Sequence, residues 1–207
     1  MKTNATFWLA AAPLLLAACQ RGEAGNNVAA PAGNNVAAAA PANVAAPAPA
    51  PAPQTGLELR LAGGGLTAGQ PGLHPSSTYA FGMPRAEIVA AVAAIRGPST
   101  GQDENRECGA GPMQFTRFGP LTLNFQEGRW VGWDLSAAAT PPLLTDWDAT
   151  IGTGRADLDD GDRDTARVEQ STLGTEFSVS DISGLLSGPG ANARVTHMWA
   201  GTDCAFR

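Results

Sequence analysis

From Gln20 to about Gln54 the chain is built almost entirely from Ala, Pro, Asn, Gly and Val, with no aromatic residue and hardly any charge. Such a segment has too little large apolar surface to offset the entropy of ordering it, so it cannot form a core. It carries an eight-residue period: Gly25-Asn26-Asn27-Val28-Ala29-Ala30-Pro31-Ala32, then Gly33 to Ala40, then a worn copy from Pro41 to Ala48. Units this short are slippage within a linker, because a solenoid needs repeats of about 20 residues or more. The Ala-Pro alternation from Pro47 to Pro53 favours extended polyproline II, which gives the linker a reach on the order of 100 Å. It either holds a domain away from a surface or threads a cell-wall layer. The fold must therefore be made from residues 55 to 207, about 150 residues, enough for one sizeable core or two small ones sharing it.

Upstream of the linker, Lys2 opens a short polar stretch and an apolar run follows from Phe7 to Ala18. The run is too short to span a bilayer as a permanent helix and has the build of an export signal. Its last residues with the following cysteine, Leu16-Ala17-Ala18-Cys19, resemble the lipobox of bacterial lipoprotein precursors. The resemblance implies diacylglyceryl transfer to the Cys19 thiol, removal of residues 1 to 18, and acylation (palmitate or a similar chain) of the new amine. More than one acyl chain makes anchoring stable, since each buried methylene contributes about 0.8 kcal/mol. Gln20, rather than Asp, after the cysteine resembles the outer-membrane sorting pattern of Gram-negative lipoproteins. The expected address is the outer membrane, with the domain facing the periplasm and residues 19 to 54 as a lipidated linker.

Every basic residue after Lys2 is Arg, and the net charge is −6. An acidic domain without a basic run argues against nucleic acid as a partner and against electrostatic docking on anionic lipid. Cys108 and Cys204 are the only cysteines left once Cys19 is lipidated. In an oxidising compartment they are expected to pair. Closing so long a loop contributes up to about 4.7 kcal/mol in the chain-entropy model. The alternatives are two free thiols, or a zinc site that only His74 and His197 could complete.

Within the domain, Leu57, Leu59 and Leu61 alternate with Glu58 and Arg60 as in a half-buried strand. Gly63-Gly64-Gly65 and a proline-marked stretch through Pro71 and Pro75 read as loop. Pro84 suits a first helical turn, Ile88, Val92 and Ile95 share a face, and Gly97-Pro98 stops the helix. Met113 to Phe118, Leu121 to Gln126 and Arg129 to Asp134 read as strands. Past a loop from Leu135 to Thr150, Gly154 to Leu158 starts a second short helix. Further strands are predicted near Arg167 to Gln170, Leu173 to Val179 and Arg194 to Ala200.

The two halves look alike. Phe81-Gly82-Met83-Pro84-Arg85-Ala86-Glu87-Ile88 aligns with Ile151-Gly152-Thr153-Gly154-Arg155-Ala156-Asp157-Leu158, and each is followed by an Arg-initiated, Trp-containing strand, Arg129 to Trp133 and Arg194 to Trp199. Helix followed by meander in each half predicts an α+β domain of short helices on an antiparallel sheet, with tandem repeats at about 79 to 134 and 149 to 207. The Gly-x-x-Arg-Ala-Glu helix start at Gly82 and the Phe-x-x-Gly-Arg hairpin at Phe125 resemble two-repeat proteins of the β-lactamase-inhibitor-like superfamily. The lipid-anchored small outer-membrane lipoprotein A family (SmpA/OmlA, the BamE group) is of the same structural class. The likeness covers roughly Tyr79 to Arg207 and implies a module that binds proteins in the envelope. The Ala-Pro linker and the Cys108 to Cys204 span depart from both groups.

The central hairpin locates a candidate contact. Leu121, Leu123 and Phe125 share the core face of their strand. A three-residue turn, Gln126-Glu127-Gly128, would pair Phe125 with Arg129, bury Val131 and Trp133, and leave Trp130 outside as a partner contact. A two-residue turn would bury Trp130, but it forces Glu127 to positive φ, so the first register is expected.

Catalytic patterns are sparse. Gly63 to Gly69 follows a strand, but Gln70-Pro71-Gly72 stands where a dinucleotide-binding helix must begin. Asp157, Asp159, Asp160, Asp162 and Asp164 surround Gly161, yet an EF-hand register puts Ala156 and Leu158 at ligand positions, leaving an irregular calcium loop or a solvated acidic turn. His197, in a strand and facing the same way as Val195 and Trp199, reads as a structural histidine. No serine elbow, zinc-protease helix or P-loop is present. The expectation is a non-catalytic protein-binding module of envelope assembly or maintenance, without cofactor, nucleotide or metal. Its rivals are an inhibitor of a secreted hydrolase and a metal-dependent or hydrolytic enzyme using Asp160 or His197.

Overall fold

The computed structural model describes Gln54, residues 56–159 and residues 164–204. The signal sequence, Cys19, the linker up to Pro53 and residues 160–163 of the acidic loop lie outside the described residues. All described residues belong to the second of two compact units, Ala46–Arg207.

The first elements are β1 (Glu58–Ala62), β2 (Gly65–Gly69) and β3 (Ser77–Ala80). Leu59 and Leu61 of β1 are buried as their alternation requires. Gly63 and Gly64 turn the chain so that Ala62 pairs with Gly65, and the strand that begins at Gly65 was not expected. Glycine is needed there because β3 approaches closely: a Cβ on Gly65 would lie 2.0 Å from the Tyr79 carbonyl oxygen. The helix α1 (Arg85–Arg96) follows Pro84, buries Ile88, Val92 and Ala94, and ends at Gly97 with φ 86°, a conformation glycine adopts without steric cost.

Next come β4 (Gly101–Asn105), β5 (Met113–Phe118), β6 (Leu121–Gln126), β7 (Arg129–Leu135) and the short β8 (Leu144–Thr145). The second predicted helix is only a 3-10 turn, Arg155–Asp157. Leu158 anchors it in the core, and no apolar residue stands at positions 161 or 162 to extend the buried stripe. The chain closes with β9 (Arg167–Ser171), β10 (Gly174–Val179), β11 (Ile182–Leu186) and β12 (Val195–Gly201). Among the described residues the domain is thus mostly sheet, with one α-helix.

The strands form two sheets, one ordered β3-β2-β1-β8 and one ordered β4-β5-β6-β7-β12-β11-β10-β9. The larger sheet is two four-stranded meanders joined through β7 and β12, where Asp134 pairs with Trp199 and Gly132 with Gly201. One face of it is covered by α1 and the small sheet in a shared core of Ile88, Val92, Leu61 and Leu66 with Leu123, Phe125, Trp133, Phe177 and Met198. The Trp133 indole N–H donates to the Ala62 carbonyl at 3.0 Å, tying the two sheets.

Each meander is laced to the turn before it by the same bonds. Gly82 N–H donates to the Trp130 carbonyl and Gly152 N–H to that of Val195; Arg85 N–H donates to Gly128 and Arg155 N–H to Ala193. The Arg129 and Arg194 guanidinia donate to the carbonyls of Gly82 and Gly152 at 3.1 and 2.8 Å. Both of those glycines have φ 94°.

The β6–β7 register overturns the expectation for Trp130. The turn has two residues, Gln126 pairing with Arg129 and Phe125 with Trp130, and a bulge follows because Asn124 pairs with Gly132. Glu127 takes φ 50° and Gly128 φ 74°, the primed turn that matches strand twist. The extra residue, Val131, resets the alternation, so that both Trp130 and Trp133 are fully buried. Trp130 stacks edge-on against Phe81 at 4.8 Å and donates to the Gly132 carbonyl at 2.7 Å; it is a core residue, not a partner contact. A second bulge sits at Thr196, where Leu185 pairs with His197 but Leu186 with Val195. Val195 therefore joins the core, and His197 faces the other way, with Trp199.

Two outcomes are expected in denaturant unfolding. Trp130→Ala should cost about 3–5 kcal/mol, and Glu127→Asn, which tolerates the left-handed conformation better, should raise stability by about 1 kcal/mol.

Candidate functional site

The opposite face of the large sheet carries no second layer among the described residues, and its side chains converge on one cavity of about 370 Å³. Phe115 and Arg117 come from β5 and Asn124 from β6, while Leu185 comes from β11 and Leu173 from the β9–β10 turn. From β5 to β10 there are five strand spacings in the sheet order, about 24 Å if the sheet were flat. Residues that far apart line one small cavity only if the sheet curls around it, so this face is concave.

The segment after β12 crosses one wall of the cavity. Gly201 turns it at φ 74°, and Thr202 N–H donates to the Val131 carbonyl at 2.8 Å. It passes over Gly132, where a Cβ would lie 2.3 Å from the Thr202 oxygen. Cys204 then joins Cys108 in a disulfide, with the Cα atoms 5.2 Å apart. The Asn105 amide donates to Cys204 Sγ at 3.3 Å. The expected pair is thus the clasp of this wall. His74, far along the chain in an exposed turn, takes no part.

Asn124 sits deepest, 2% exposed. Its Nδ2 donates to the Thr202 carbonyl at 3.1 Å, while its Oδ1 is buried with no hydrogen-bond donor among the described residues. A buried carbonyl oxygen without a donor costs roughly 1–3 kcal/mol, which marks it as a place for a ligand donor or an ordered water.

His197 Nε2 and Asp134 Oδ2 are 2.5 Å apart, a tie across the seam between the two meanders, and the imidazole lies 5.6 Å from the Trp199 ring. The hydrogen bond to Asp134, opposed by burial and reinforced by the charges of Asp134 and Asp203, holds the imidazole pKa above its usual value. Arg117 is paired with Asp103 on β4. Among the described residues the hydrogen-bond partner of the imidazole is Asp134.

The sequence singled out His197, Cys108 and Cys204; the fold brings His197 and Cys204 to this cavity, with Cys108 joined to it through the disulfide. It did not single out Asn124, Asp134, Phe115 or Trp199. Asn124 and Asp134 were visible only as polar positions on the outward face of predicted strands, and Trp199 was attached to the wrong side of a bulge. The described part of the acidic loop satisfies its own backbone: Asp159 accepts from Ala166 N–H, and Asp164 from Thr165 and Ser180 N–H. No group of three or more metal-ligating side chains occurs among the described residues, and no described helix is long and apolar enough to cross a membrane. No protein-family profile, curated protein or solved structure matches the chain.

The raised imidazole pKa has a signed consequence. Unfolded histidine titrates near 6.5, so the tie to Asp134 contributes its full stability below that pH and loses it as pH rises through the higher folded value. Melting temperature is expected to fall as pH rises from about 6.5 through the higher folded value, and His197→Gln should flatten that slope. An unchanged slope in the variant would assign the pH dependence to other groups.

Proposed function

We propose that this chain is a lipid-anchored outer-membrane protein, facing the periplasm, whose domain binds another envelope protein during assembly or maintenance of the envelope and catalyses no reaction. The observation that carries the reading is the concave sheet face, the one large sheet surface without a covering layer among the described residues, with half-buried Phe115, Leu173 and Leu185 around its cavity. Apolar side chains gathered in a concavity and rimmed by charged pairs have the composition of a protein-binding surface. The partner contact thereby moves from Trp130 to the face that holds Trp199.

We also read the two meanders, with their preceding turns, as tandem repeats. The matched backbone bonds of Gly82 with Gly152 and of Arg85 with Arg155 support this, as do the paired arginines, Arg129 with Arg194. Both bulges, at Val131 and Thr196, fall two residues after those arginines. The likeness to two-repeat proteins of the β-lactamase-inhibitor-like superfamily favours a second reading on the same face, inhibition of a secreted hydrolase.

Cross-linking of the tagged, lipidated chain in native envelopes tests the proposal. Phe115→Ser and Leu173→Ser should each lose the cross-linked partner while melting within a few degrees of the parent. Leu73→Ser, at the exposed turn before β3 (67% exposed), should keep it. A partner retained in both concave-face variants would place binding elsewhere. Loss of a hydrolase's activity at one-to-one mixing would select the inhibitor reading.

A further inference from the structure

The small sheet and the end of α1 frame a second groove, a cavity of about 420 Å³ that shares no lining residue with the concave face. Leu57 and Leu59 come from the entry to β1, Ile95 from the last turn of α1, and Pro141, Pro142 and Leu144 from the run into β8. Leu57, Ile95 and Leu144 are half-buried and both prolines are exposed. Two charged residues join this apolar lining. Glu58 is already paired with Arg60. Arg96 donates from Nη1 to the Pro141 carbonyl at 3.2 Å, and among the described residues no carboxylate is paired with it. Its guanidinium has five donors, so an occupant with apolar surface and carbonyl oxygens to offer fits this groove.

The linker ends in such a segment. Pro47-Ala48-Pro49-Ala50-Pro51-Ala52-Pro53 has no charged side chain. All of its residues carry a backbone carbonyl, but only the alanines carry an N–H. Extended as polyproline II it leaves those carbonyls without internal partners. The segment is also tied to the groove's wall. Gln54 N–H donates to the Ala94 carbonyl at 2.5 Å, filling one of the acceptors that a helix C-terminus leaves open. Pro53 is bonded to that same nitrogen, and Ala94 is followed directly by Ile95 and Arg96. A short covalent link sets an effective concentration of the order of millimolar, so this segment outcompetes a free peptide of equal affinity.

We propose that the groove docks the Ala-Pro segment of its own chain, Pro47 to Pro53, with proline rings against Leu57, Ile95 and Leu144 and a backbone carbonyl accepting from Arg96. The inference is independent of the partner assigned to the concave face. Docking takes about 22 Å, at about 3.1 Å per residue, out of the linker's reach, and leaves residues 20 to 46 to span the rest.

The test is limited digestion of the intact chain by a proline-specific endopeptidase. Cleavage after Pro31 and Pro41, in the same linker but outside the segment, is the internal reference. Cleavage after Pro49 and Pro51 is expected to be at least tenfold slower than at the reference sites, and to lose that protection in Arg96→Gln and in Leu57→Ser. Nearness to the folded domain would also slow cleavage, but equally in parent and variants, so protection kept in both variants would overturn the proposal. Equal cleavage at all four sites in the parent would do the same. Protection that vanishes on hundredfold dilution would assign the segment to the groove of a second copy, and would equally sink it. A second measurement needs no change in the groove: Pro49→Gly combined with Pro51→Gly should shift the methyl resonances of Leu57, Ile95 and Leu144 in the intact chain. Unmoved resonances would count against docking.

Discussion

The seam between β7 and β12 holds the domain together. Four residue pairs, Leu135 with Met198 through Gly132 with Gly201, turn two meanders into one sheet, and both faces depend on that join. On the core side it sets Trp133 beside Ala200 and Leu135 beside Met198, continuing one hydrophobic layer across the two halves. On the other side it sets Asp134 within reach of His197. The two glycines at the end of the seam are required by close approach, since a side chain at either Gly132 or Gly201 would collide with a backbone oxygen at 2.3 Å. Main-chain geometry there leaves room for the segment after β12 to double back, which in turn makes the cavity wall.

Much of the fold was legible where side-chain alternation was undisturbed. Leu121, Leu123 and Phe125 announced β6 and its buried face, and Ile88 with Val92 announced α1. Strands with at most one large apolar residue stayed hidden. β2 is Gly-Leu-Thr-Ala-Gly and β4 is Gly-Gln-Asp-Glu-Asn, and each is held by its neighbours' hydrogen bonds rather than by its own propensity. β11 carries Gly184 at a core-facing position because the Phe177 ring fills the space a Cβ would need, with ring carbon at 2.5 Å, a demand that exists only after the sheet has assembled.

The site was harder to read than the fold for one physical reason, the bulge. Period-two reasoning assigns each residue a face from its distance along the strand, and a single unpaired residue inverts every assignment beyond it. The two-residue turn buried Trp130, Val131 kept Trp133 in the core beside it, and Thr196 parted His197 from Val195. Nothing local distinguishes these residues from their neighbours. Glu127 argued against the tighter turn on its own energetics, but burial of Trp130 outweighs the roughly 1–2 kcal/mol cost of one left-handed residue. The polar contacts that define the cavity, Asn124 to Thr202 and Asp134 to His197, join residues 78 and 63 positions apart, and no window of sequence contains both members.

The small sheet has a mechanical meaning. β1 is the first strand of the described domain and lies in the interior of its sheet, with β2 antiparallel on one side and β8 parallel on the other. A tug arriving along the chain from its amino-terminal side reaches this strand first. Drawing it out would mean rupturing ladders on both edges together, and lifting Leu59 and Leu61 from the core as well. Load entering at that end thus meets a strand braced on both edges before it can reach the large sheet.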